Sequence, residues 1–232
     1  MATEAAIHSQ QFLIEVGDPE EARPREERPG IAPAEPGPVR GLTIRRLTLN
    51  KNYDGRISAW FGGENEIYFI ASSIMFGEEK PFVFPNTEAG GQQAVMELKR
   101  GETFEFDLGA GAPLFPEREL TSGPAIAIWV MESDGDRRKA GEKMKAAAEA
   151  VENDGSIAEI LGKAIKNPGA FTAQQVLGAV GEVAKVVGTV LEKDGDEQVG
   201  LFSAYFPMRS SWDGMLRSQK EGATIELLEI KG

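Results

Sequence analysis

The alternation of apolar and polar positions divides the chain into a β-patterned stretch, a helical stretch and a β-patterned close. In the first stretch, residues 41–133, Leu42, Ile44, Leu47 and Leu49 sit in one strand-like segment. Its phase shifts at Arg45-Arg46, which predicts a β-bulge. The segment EIYFIASSIMF (66–76) is rich in aromatic and β-branched residues, as strands are. PFVFP (81–85) lies between prolines and suits only a sheet edge. Residues 93–98 and 103–108, joined by Lys99-Arg100-Gly101-Glu102, read as a hairpin. Phe104, Phe106 and Leu108 alternate with Glu105 and Asp107, giving one apolar and one wet face. A loop is predicted over 109–123, followed by AIAIWVM (125–131), apolar enough for a central strand.

The period then changes. Met144, Ala147, Ala148 and Val151 are spaced for one face of a helix. Ser156 and Glu159 match a capping box, followed by Ile157, Ile160, Leu161, Ala164 and Ile165, and Pro168-Gly169 stops that helix. Thr172 and Gln175 open a third helix. It carries the rows Val176/Val183/Val190, Leu177/Ala184/Leu191 and Val180/Val187. Three amphipathic helices with short breaks predict a small bundle or cap. The β pattern resumes in GLFSAYF (200–206), passes through a loop with Trp212 and Gly214, and ends in ATIELLEI (223–230). With about eight strands and no βαβ rhythm, the expected class is mainly β with an α insertion: an antiparallel β-sandwich holding an inserted helical bundle. The expected parts are an arm (1–40), a sandwich (41–136 and 194–232) and a helical insertion (137–193).

The arm has its own character. Pro19, Pro24, Pro29, Pro33, Pro36 and Pro38 favour extended chain that builds no core. Inside it, QQFLIEV (10–16) is a short strand candidate, able to pair with its own sheet or with a neighbour's edge. The second option would make the chain a structural subunit of a homo-oligomer or filament, exchanging its N-terminal strand.

Composition removes several functions. With 37 Asp and Glu against 25 Lys and Arg, the formal charge is −12. No strong basic face is available, so nucleic acid is not an expected partner. There is no cysteine, which excludes disulfides, thiolate catalysis and cysteine-bound zinc. The one histidine is His8, which leaves little for a Ser-His-Asp triad or a multi-histidine metal site. Nothing beyond abundant carboxylates points to glycoside hydrolysis, and no phosphate-binding glycine motif is present. A non-enzymatic protein is expected. The N-terminal residues lack a Sec-type signal pattern and no long apolar run predicts a transmembrane helix. The expected location is cytoplasmic, or outside the cell by a non-Sec route.

What remains is acidic. Glu132-Ser133-Asp134-Gly135-Asp136 follows one strand segment, and Asp194-Gly195-Asp196-Glu197 precedes another. If those strands are neighbours, the two clusters meet at one end of a sheet, and the helices form an insertion in a single loop. A third acidic turn, Asn52-Tyr53-Asp54-Gly55, follows the first core strand. Calcium takes six to eight oxygen ligands, commonly with two or more carboxylates among them. Asp54, Asp134, Asp136, Asp194 and Asp196 are the candidate ligands. Asp-Gly is also a common turn dipeptide, and Asp136 suits a helix cap, so plain turns and caps account for the same residues.

The order of these features resembles the C2 domain, the calcium- and phospholipid-binding β-sandwich. The resemblance rests on Asp54-Gly55, Glu64-Asn65-Glu66-Ile67-Tyr68, Trp129 through Asp134, Asp194 through Gly200, Trp212 and the closing strand. It covers residues 41–136 and 194–230. It implies a C2-like fold and calcium as the bound ion. The proline of the family's acidic-Pro-Tyr step is missing, and a helical insertion interrupts the calcium loop. The glycine-containing face of the insertion, with Leu177, Gly178, Val180, Gly181, Val187 and Gly188, fits a protein or membrane partner. Packing against its sister helices or the sandwich is the favoured reading, because Glu182, Lys185 and Glu192 leave the other face wet.

Overall fold

The computed structural model describes residues 37–51, 53, 65–75, 77–85, 95–106, 111–133, 137–166, 173–191, 196–208, 210–217 and 222–231. Residues 10–16, Trp60, Phe61, Pro168-Gly169 and Thr172 lie outside them. The described strands are β1 (Val39–Leu49), β2 (Asn65–Ile74), β3 (Phe82–Phe84), β4 (Val95–Leu98), β5 (Thr103–Glu105), β6 (Ala112–Glu119), β7 (Ala125–Glu132), β8 (Glu197–Tyr205), β9 (Gly214–Arg217) and β10 (Ala223–Lys231). Between β7 and β8 come α1 (Arg137–Glu152), α2 (Gly155–Lys166) and α3 (Ala173–Leu191).

The protein is mainly β, with two antiparallel sheets in a sandwich-like arrangement. In one, β1 is central: β10 runs along one side, while β5 and β6 share the other, and β9 lies outside β10. In the other, β3 and β4 share one side of β2, and β7 and then β8 follow on its other side. The aromatic rings tie the sheets together. Phe69 of β2 stacks on Phe84 at 5.3 Å and meets Phe106, just beyond β5, edge-on at 5.5 Å.

Burial follows from what covers each face. β10 alternates buried and half-buried positions along Ala223–Ile230, because only one side of its sheet meets the core. β7 is buried at every position. One face of its sheet meets the first sheet, and the helices cover the other. α1 packs on β2, β3 and β4, and α3 packs on β2, β7 and β8, with α2 against α3. The helical apolar stripe is used here: Ala140, Met144, Ala147, Val180, Val183, Val187 and Leu191 are all buried. Gly178 and Gly181 point the other way, into open space.

Several local expectations hold. The register of β1 against β10 shifts between Ile44 and Arg46, at the predicted bulge. Phe82–Phe84 is an edge strand, and Ala125–Glu132 is central. Others need correcting. Residues 93–98 and 103–108 do not form a hairpin, because β4 pairs with β2 and β5 with β1, in different sheets. The turn between them is a corner, held by Leu49 N to Glu102 O at 3.0 Å and Gly101 N to Leu49 O at 2.6 Å. Gly101 supplies the positive φ of 84° that this corner needs. All of β5 is exposed. The predicted loop at 109–123 contains β6, whose Pro113 and Pro116 masked a strand that uses one edge only. The cap of α2 is Asp154, not Ser156: its Oδ1 accepts from Ser156 N at 2.9 Å and Ile157 N at 3.0 Å.

Trp212 lies in the expected loop and is buried there. It is 1% exposed, with Arg40 over its ring at 3.9 Å. Arg40 also pairs with Glu229 and donates to the carbonyls of Met208 and Ser210. This knot binds the segment after β8 onto β1 and β10.

Candidate functional site

Antiparallel pairing sets the end of one strand beside the start of the next. β7 and β8 are such neighbours, with Glu132 directly opposite Glu197. The chain therefore leaves for the helices and returns from them at adjacent points on one sheet. The roots of both acidic clusters meet there, as the sequence condition required. Ser133 N still bonds Glu66 O at 2.9 Å, so the β2–β7 ladder runs to the last residue before the departure.

The loop after β1 begins at the same end. Asn50 N donates to Gly222 O at 2.8 Å and its side chain to Thr224 at 2.9 Å. Tyr53 N donates to Asn65 Oδ1 at 3.0 Å, and Asn65 Nδ2 donates to Leu98 O at 2.9 Å. Fully buried, the Asn65 amide thus pins the returning loop to the end of β4. Tyr53 reaches across to donate its hydroxyl to Val199 O at 3.3 Å. Gly222 is required here, since a Cβ would stand 1.9 Å from the Tyr53 hydroxyl and 2.2 Å from Val199 O. Burial, and then the charge of Glu197, hold the Tyr53 phenol above its ordinary pKa.

Of the five candidate ligands, Asp196 is described and Asp54, Asp134, Asp136 and Asp194 lie outside the described residues. Asp196 has a buried side chain with both oxygens engaged. Oδ1 lies 2.7 Å from Lys143 Nζ of α1, and Oδ2 accepts from the Tyr68 hydroxyl of β2 at 2.7 Å. Three elements thus converge on one carboxylate. A buried ion pair of this kind requires such extra hydrogen bonds to offset desolvation. A lysine ammonium at this distance also disfavours a second cation on the same oxygens. Among the described residues, no three Asp, Glu, His or Cys side chains are gathered as a metal centre.

Sequence reasoning passed over Lys143. The available signal was its position: it falls between Ala140 and Ala147 on the face of α1 that is otherwise apolar. A lysine on a buried face calls for an acidic partner. Glu132 was noted only as part of an acidic run, yet it is 3% exposed.

The arrangement offers concentrated negative charge beside rigid strand ends. Glu132 and Glu197 stand directly opposite each other across the β7–β8 pair. No family model matches the chain, and no curated protein matches it either.

Proposed function

We propose that this chain is a non-enzymatic, calcium-responsive interaction module built on a C2-like sandwich, with the helices as a bundle inserted into its calcium loop. Calcium is held by Asp54, Asp134, Asp136 and Asp194, carboxylates on three loop segments rooted at one end of the sheets. Asp196 is the structural member of the set, kept in its pair with Lys143 and Tyr68.

The observation that carries this reading is the opposition of Glu132 and Glu197. It places two like charges at the point from which the Asp-Gly-Asp elements depart. A divalent cation at this end relieves repulsion among the Asp carboxylates that it gathers. It also ties down both ends of the helical layer, so binding of metal and seating of the helices are linked. The raised pKa of Tyr53, caused in part by Glu197, is a second sign of negative potential there.

The test is thermal unfolding of the full chain in millimolar calcium and in chelator, with magnesium as a control. The expected result is a calcium-specific rise in Tm, equivalent to about 2.7 kcal/mol when calcium is a hundredfold above Kd. Asp134→Asn with Asp136→Asn should remove the rise. An unchanged Tm in millimolar calcium would sink the proposal.

A further inference from the structure

We draw no further inference here: the strongest candidate, the half-exposed apolar strip of Val39, Leu228 and Ile230 on the outer face of the sheet that holds β1 and β10, carries none because nothing in the structure shows what covers it.

Discussion

Lys143 and Asp196 are 53 residues apart in sequence and 2.7 Å apart in space. The pair locks α1 to the residue just before β8, with the Tyr68 hydroxyl as its third member. Removing one partner leaves a buried charge uncompensated. Lys143→Ala should cost about 3–5 kcal/mol, measured by urea unfolding. Lys143→Met with Asp196→Leu should recover most of that loss, because an apolar pair of similar size carries no desolvation penalty.

The glycines of α3 and of the loop end should respond in opposite ways. A Cβ on Gly178 or Gly181 meets nothing within 4 Å. Gly178→Ala and Gly181→Ala should each stabilise by about 0.5–1 kcal/mol, through the helical backbone entropy that glycine forfeits. Gly222→Ala would drive a methyl into Val199 O and the Tyr53 hydroxyl and should lower Tm. Three melting curves beside the parent decide the matter.

Asp154 should give α2 an acid-sensitive cap. Hydrogen bonds from the Ser156 hydroxyl and the Ile157 amide hold its carboxyl below the ordinary value of 3.8. The folded state binds this proton less readily than the unfolded chain does. The resulting stabilisation is present above that ordinary value and is lost as pH falls through the depressed one. Asp154→Ala should cost about 1 kcal/mol at neutral pH. A melting series from neutral to acid should show the gap between variant and parent closing at the acid end.

The alkaline side should also be asymmetric. Burial raises the phenols of Tyr53 and Tyr205 above 10.0, with Glu197 adding to the effect at Tyr53. Here the folded state holds the proton longer. The contribution is intact below the unfolded value and is lost as pH rises through the folded one. Tyrosinate absorbance should show both groups titrating later in the native protein than in denaturant. Tyr53→Phe should remove one of the delayed steps.

The sequence made strand positions legible wherever local chemistry determined them. The phase break at Arg45-Arg46 became a register shift because a bulge is a local event. The full burial of β7 was readable from AIAIWVM because both its faces are covered. Sheet membership was not readable. Nothing in the alternation of Phe104 and Phe106 says that β5 crosses to the other sheet, since that depends on Leu49 inserting its backbone beside Gly101. Pro113 and Pro116 concealed β6 for a related reason: a proline forbids pairing on one side only, and which side is free is a tertiary fact. At the site, the adjacency of the two acidic clusters could be stated conditionally from sequence, and the pairing of Glu132 with Glu197 meets the condition. The role of Asp196 could not, because its partners come from α1 and β2.

The placement of the helices between two adjacent strands carries a consequence for how such a protein can be altered. Because departure and return are adjacent, the sheet constrains only the separation of two ends, and closure entropy rises only logarithmically with whatever lies between them. By that measure the helices could be exchanged for a short turn. The sheet they cover would not tolerate it. Ile70 and Trp129, both buried, would lie bare on a flat apolar surface, and the shortened protein would trade a loop for an aggregation site. The helical layer is topologically removable, yet the sheet beneath it needs its cover.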